Sequence, residues 1–488
     1  MMMSPTGPED RKGAGSEQGE QLGVQPLAPG SLIVFRQHED DSKGHDSVEA
    51  SEVHARIDHA AEGFAAVGVP VRTLGPETGE YLQRWGGEWA NEAAKNHQLD
   101  PTVYRKFLEE NFEKAMLVVH DAPVGEALKT PPPHSRSDCY TLPTSKHAVY
   151  SSARAGCATM AAAFAFGHAG FSLNRPPGHH AREDEACGFC WRNNALIASV
   201  FFVGLVRKFG HTDGLRLMIF DMDFHHGAGI ELILSKRKFF DRLSRTFGAV
   251  EILYFSVYRK DTFDSLAPQK SLPDSEFLAP WKRSAFKVRR LFSSQTQRWG
   301  RDDSASRVLE IGREVVHYTE SGTIDALVVA AGFDHCVGEK IVTPSSPSEQ
   351  KRLWTLEEVE MLGRSVAESA NHCRLLKVPV SLLEGGYQPR TMRTFVPAYA
   401  LSSVGTAHTV GTVGTVGTVG TAGSVGTVDT AGTAGTADTA DTAGTAGFVG
   451  TVGTVGTVGP VGPVDTVVSW AAGKCVCVDL GMCVCMLI

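Results

Sequence analysis

Apolar residues gather along the chain in short, nearly unbroken runs: SLIVF (31–35), AGFSLN (169–174), LRLMIF (215–220), ILYFSV (252–257), IDALVVAAGF (324–333) and VPVSLLEGG (378–386). Runs of this length without polar alternation predict strands covered on both faces. Between them the spacing turns helical. In EVHARIDHAAEGFAAVG (52–68), Val53, Ile57, Ala60, Ala61 and Phe64 share one face, and AMLVVHDAPVGEAL (115–128), ARAGCATMAAAFAF (153–166) and NNALIASVFFVGLVRKF (193–209) predict further helices. Helices alternating with buried strands predict an α/β fold, a three-layer α/β/α sandwich around a mainly parallel central sheet.

The pattern lapses at both ends. Residues 1–30 are polar and rich in Gly and Pro, which predicts a disordered N-terminus before a folded domain over 31–405. From Gly405 to Asp465 the chain reads GTVGTVGTAG and onward, with Gly or Asp at every third place except His408. Collagen would need regular proline, and Pro occurs there only at 460 and 463, so residues 406–465 read as a low-complexity linker. The Cys-rich tail, 466–488, admits a soft-metal site, a C-terminal lipidation signal or an unstructured segment with free thiols; the last is the expectation.

A net charge of −8 argues against direct nucleic-acid binding. No run approaches the ~20 apolar residues of a transmembrane helix. The ten cysteines form no disulfide framework, and the polar N-terminus lacks a secretion pattern, so a nuclear or cytoplasmic protein with reduced thiols is expected.

Ligands of parallel sheets bind at the strands' carboxyl ends, and four of these runs end in polar residues. RPPGHHARED (175–184) brings His179 and His180, DMDFHHGAG (221–229) brings Asp221, Asp223 and His225, AGFD (331–334) brings Asp334, and LLEGGY (382–387) brings Tyr387. Singly, each has a bland reading: a surface histidine pair, a helix-capping aspartate, a glycine turn. Paired carboxylates beside imidazoles need a cation or protons to offset their repulsion, and four such ends together point to a site. If the strand continued past Phe220, Asp221, Asp223 and His225 would point to one side. Asp223, His225 and Asp334 would leave one position open, the arrangement of a catalytic zinc, with Asp221 behind as support for an imidazole.

In their order, RPPGHHARED, GFCWRNN (188–194), DMDFHHGAG, AGFD and LLEGGY resemble the histone deacetylase superfamily, which includes acetylpolyamine amidohydrolases and has the arginase-deacetylase fold. GHDSVEASEVHARI (44–57) resembles its N-terminal segment, and RPPGHHA and GFD are closer to the class II and bacterial branch. The resemblance implies Asp223, His225 and Asp334 as zinc ligands, and His179 and His180 as the active-site pair with His180 the general base and acid. It further implies Tyr387 as donor to the substrate carbonyl, Asp221 and Ser256 at a potassium site, and Gly188 and Phe189 in the acyl-lysine tunnel wall.

Two departures stand out. The family has Asp or Asn where this chain has Ala228, a position that supports the second histidine. Residues 259–303 lack the family's Gly-rich loop and following strand, and SKRKFFDRLSRTFGAV (235–250) is extra; both stretches are basic and read as a solvated surface or a rim for acidic partners. The expected function is zinc-dependent hydrolysis of acetyl-lysine in proteins. Hydrolysis of acetylated polyamines is the enzymatic alternative, and a weakened, scaffold-like homologue is the non-enzymatic one.

Overall fold

The structure is a computed structural model that describes residues 32–43, 53–120, 139, 144–210, 214–258, 286–292, 304–339 and 353–404, with three short tail strands; for 286–292, 304–307 and the tail strands only the backbone is described. The expectations for residues 1–30, the linker 406–465, segment 44–52 and most of 259–303 lie outside the described residues.

Eight parallel strands form the central sheet: β1 (Leu32–Arg36), β2 (Val71–Thr73), β3 (Ala169–Leu173), β4 (Leu215–Asp221), β5 (Val250–Tyr258), β6 (Phe286–Phe292), β7 (Ala326–Ala331) and β8 (Val380–Leu383). Their order is β2-β1-β3-β8-β7-β4-β5-β6. Alternation within the continuous apolar runs feeds two cores. Leu217 and Ile219 of β4 face the helices Pro101–Val119, Ser145–Phe166 and Asn194–Lys208. Met218 and Phe220 face Ala55–Ala66, Ser304–Glu320, Leu356–Asn371 and Pro389–Ser402. Both strand faces are therefore apolar, and the three-layer α/β sandwich follows.

β3 and β4 are successive in this part of the chain but stand apart in the sheet, with β8 and β7 between them. The order reverses there, opening a crevice at the carboxyl ends of β3, β8, β7 and β4. All four polar strand ends belong to these adjacent strands.

Several local expectations are corrected. Of the helix read over 115–128, residues 115–119 are the end of a longer helix, Pro101–Val119, where Asp100 caps the amides of Thr102 and Val103 and Pro101 opens the first turn, and 121–128 lie outside the described residues. His120, at its C-cap, is already extended. β4 stops at Asp221 rather than continuing through His225. β6 extends the sheet beside β5 in the stretch where no strand was read. In the tail, Val468–Trp470, Gly473–Val478 and Met482–Cys485 form a separate three-stranded antiparallel sheet, where no regular structure was expected.

Candidate active site

Beyond Asp221 the chain bends because side-chain carboxylates capture the amides two residues on. Asp221 Oδ1 accepts the Asp223 N–H at 3.2 Å, and Asp223 Oδ1 accepts the His225 N–H at 2.8 Å. Such Asx turns compete with the ladder. They carry Asp223 and His225 across the mouth of β4 towards Asp334, which follows β7; Asp334 Oδ1 accepts the Phe224 N–H at 3.1 Å. One oxygen from each aspartate and a His225 nitrogen then lie within 4.8 Å of one another.

Whether these residues suit a metal can be judged from their unmet valences. Asp334 Oδ2 is buried and has no hydrogen bond, although His225 Nδ1 lies 2.8 Å from it. A proton held in this ion pair occupies the space between ligand atoms that a cation would take. Burial and the neighbouring Asp223 raise the Asp334 pKa. Burial works to raise that of Asp223 too, but the cations of His179 and His225 outweigh it and hold Asp223 down. Burial alone would discharge His225, yet Asp334 and Asp223 hold its pKa at about 10. The cluster thus takes up protons to offset its negative charge, a role a divalent cation would fill. Gly332 makes room: a Cβ there would lie 1.9 Å from Asp223 Oδ2. That same oxygen accepts the Gly385 N–H at 2.8 Å. The donor set fits a catalytic metal with an open position, and His225, 24% exposed, is the member that reaches solvent.

The turn Pro176–Pro177–Gly178 delivers the tandem histidines from β3, their rings 3.9 Å apart between centroids. His179 Nδ1 lies 3.3 Å from Asp221 Oδ2, which also accepts the Tyr254 hydroxyl at 2.8 Å. Two imidazoles this close resist both being charged. Burial opposes protonation of His179, but Asp223 and Asp221 prevail and raise its pKa to about 10. Burial and the charges of His179 and His225 push His180 well below 6.5. His180 is therefore neutral, and its Nδ1 is buried without a hydrogen-bond partner. The helix Ala228–Ser235 begins against this pair, its Ile230 N–H donating to the His179 carbonyl at 3.2 Å. Ala228 offers no acceptor.

Gly188 and Phe189 both have left-handed backbone, φ 56° and 63°. A Cβ on Gly188 would also strike the His180 ring at 2.4 Å. The turn sets Phe189 edge-on to Tyr387, with ring centroids 6.0 Å apart. Tyr387 sits beyond Gly385 and Gly386, and burial raises its pKa well above 10, so it is a neutral hydroxyl. Ser256 pairs in register with Asp221, and its hydroxyl meets His226 Nδ1 at 3.1 Å.

Three contributors escaped the sequence reading. Arg56 donates to the Gly386 carbonyl at 2.6 Å and to that of Glu384, with its guanidinium 4.6 Å from the Tyr387 ring centre. Glu384 Oε2 accepts the N–H groups of Gly178 at 2.6 Å and His179 at 3.1 Å, tying β8 to the histidine turn. Glu339 receives the Tyr387 and Gln388 N–H groups at 3.0 Å each. The signal for Glu384 was present, an acid inside an otherwise apolar LLEGG. His179, Cys190 and Glu384 also group closely. Burial keeps the Cys190 thiol protonated, and the His179 nitrogens already face carboxylates, so this is the weaker metal donor set.

The basic insertion is anchored on one side, while Arg237 and Arg245 are exposed, as expected of a solvated surface. Lys236, Lys238 and Arg242 reach Glu183 at 2.8, 2.9 and 2.7 Å, and the Glu183 side chain is fully buried. The insertion is thereby clamped to the loop after the tandem histidines.

The family model described as the histone deacetylase domain matches residues 80–402. The chain belongs to the histone deacetylase domain family. Similar members include histone deacetylase 18 of Arabidopsis thaliana, 31% identical over 179 residues (36% of this chain, 23% of that protein). Acetylpolyamine amidohydrolase of Burkholderia pseudomallei is 36% identical over 125 residues (25% and 31%). The mouse polyamine deacetylase HDAC10 is 27% identical over 253 residues (50% and 34%). Each alignment spans about a third or less of the relative's length. The crystal structure of the HDA15 HD domain aligns with 76% of this chain and 90% of its own at a TM-score of 0.51 and 18% identity, a likeness of fold. Histone deacetylase family membership supports a hydrolase of acetyl amides, and family members differ in acting on proteins or polyamines.

Proposed function

We propose that this chain is a zinc-dependent deacetylase that hydrolyses the acetyl amide of acetyl-lysine in proteins, histone or non-histone. The observation that carries the reading is the Asp223–His225–Asp334 cluster, two buried carboxylates converging on one imidazole, beside a histidine pair whose two members differ in charge. Two carboxylates and one imidazole suit zinc, which when bound would supply Lewis acidity towards the acetyl carbonyl and acidify water.

The chain's own residues do the rest. Neutral His180 can accept a proton from the attacking water and return it to the departing lysine amine. His179, held charged by Asp221 and Asp223, keeps its neighbour's pKa low and so keeps that base free. The Tyr387 hydroxyl donates to the carbonyl oxygen as negative charge develops there. Phe189 and Gly188 wall the approach, and Asp221 and Ser256 are the positions we assign to potassium.

A second reading, hydrolysis of acetylated polyamines, draws on the Burkholderia and mouse relatives. One experiment separates the readings: zinc content of the purified protein, with turnover of an acetyl-lysine peptide and of an acetylated polyamine, and Asp223→Ala as control. Stoichiometric zinc and peptide turnover, both lost in the control, are expected. Preferred turnover of the polyamine would reverse the substrate assignment, and bound zinc without turnover of either would leave a scaffold.

A further inference from the structure

Arg192, between the tunnel-wall turn and the helix Asn194–Lys208, is only 6% exposed. Its Nε and Nη2 are buried and have no hydrogen-bond partner, and it joins no ion pair among the described residues. Trp191 beside it packs in an apolar cluster with Cys139, Val149 and Ala186. Buried acids on neighbouring elements are engaged elsewhere: Glu77 and Glu109 with Arg154, and Glu183 with the insertion. His120 has no acceptor to spare, since its Nδ1 meets the Glu183 carbonyl at 3.1 Å and its Nε2 takes the Asn193 N–H at 3.1 Å. Burial pulls the Arg192 pKa down to about 10, and Tyr150 offsets this only in part.

A buried guanidinium without a counter-charge is strongly disfavoured. The two orphaned nitrogens are also specific in shape. Nε and Nη2 form the side-on fork that takes both oxygens of a carboxylate in parallel. We propose that Arg192 is the anchor of a binding site for a small carboxylate anion, separate from the metal cluster. Acetate, the smallest common probe of this shape, is also what deacetylation would release, but the proposal stands without that activity.

The test is thermal unfolding of the full chain in low-salt buffer, titrated with sodium acetate or sodium chloride, for the wild type and Arg192→Leu. Binding only to the folded state should raise the wild-type Tm by about 3–4 °C at an acetate concentration about a hundred times the dissociation constant. Arg192→Leu should match or exceed the wild type without acetate and show little of that rise. Acetate held at the metal cluster would shift both proteins alike, so the difference reports Arg192. Equal acetate shifts in the two proteins, an equal response to chloride, or a Tm several degrees lower in Arg192→Leu without acetate would each overturn the proposal; the last would mean that a carboxylate of the chain itself fills the fork. Should Arg192→Leu not fold, Arg192→Lys keeps the charge and loses the fork, and an undiminished acetate shift in that variant would overturn it equally.

Discussion

Ala228 is where the histidine pair lacks support, and restoring an acceptor there is the sharpest test of how His180 works. His180 Nδ1 is buried and unpartnered, and the first turn of the helix Ala228–Ser235 abuts the backbone of the pair. A Cβ on Gly229 would lie 2.4 Å from the His180 carbonyl carbon. An unmade buried hydrogen bond costs about 1–3 kcal/mol. If the same interaction orients the ring in the transition state, its recovery corresponds to roughly 10- to 100-fold in rate. Ala228→Asn should therefore raise kcat for acetyl-lysine peptide by about tenfold or more, with KM little changed, because a proton fixed on Nδ1 leaves Nε2 free to act as base. Ala228→Asp should add a second signature. A carboxylate beside the imidazole favours its charged form, so the acidic limb of the pH–rate profile should move up by about one unit. The assay is steady-state turnover across pH 5–9 on proteins of matched zinc content. An unchanged kcat in both variants, with unaltered zinc and Tm, would refute the account of His180 as an under-supported base.

Other outcomes follow from neighbouring contacts. Tyr387→Phe should lower kcat about 10²- to 10³-fold, the usual loss for one oxyanion donor, and leave zinc content unchanged. Burial raises the Glu384 pKa to about 7, with His179 opposing. The folded state then keeps a proton that the unfolded chain releases, so this residue's contribution to stability declines as pH rises from about 4.5 to 7, by on the order of 3 kcal/mol. Glu384→Gln, which retains the acceptor for Gly178 and His179, should flatten that part of a pH series of denaturant melts; an unaltered slope would contradict it. Glu183→Gln leaves three part-exposed cations facing a neutral group, and should cost about 1–2 kcal/mol in chemical denaturation.

The unbroken apolar runs made the sheet legible because burial on both faces removes polar alternation, and the residues closing four of them are brought together by strand adjacency. Strand order itself is a tertiary property, so the sequence could not say that these four ends are neighbours. The convergence of Asp223 and His225 was expected from side-chain alternation, whereas two Asx turns produce it; aspartates in a β pattern signal both outcomes equally. The helix Pro101–Val119 was misplaced although Asp100-Pro101 is a helix-start signal, because the apolar run at its far end drew the reading on to residue 128. Phe286–Phe292 was hidden by Lys287, Arg289 and Arg290 inside FKVRRLF, tolerable on an edge strand. Arg56 and Glu339 act through backbone atoms of distant loops, which no local pattern announces, whereas Glu384 stands out locally as an acid inside the apolar LLEGG.

The three cations around Glu183 make the insertion and the histidine loop interdependent. A buried acid is costly without counter-charges, and for Glu183 these come from the basic helix Arg237–Phe247 and the preceding Lys236. Neither can be discarded alone: trimming the insertion strands a bare carboxylate three residues from His180, and neutralising the acid leaves the cations repelling one another. A segment at the domain's edge is thereby coupled to the loop that carries the tandem histidines, and a change in either is felt by both.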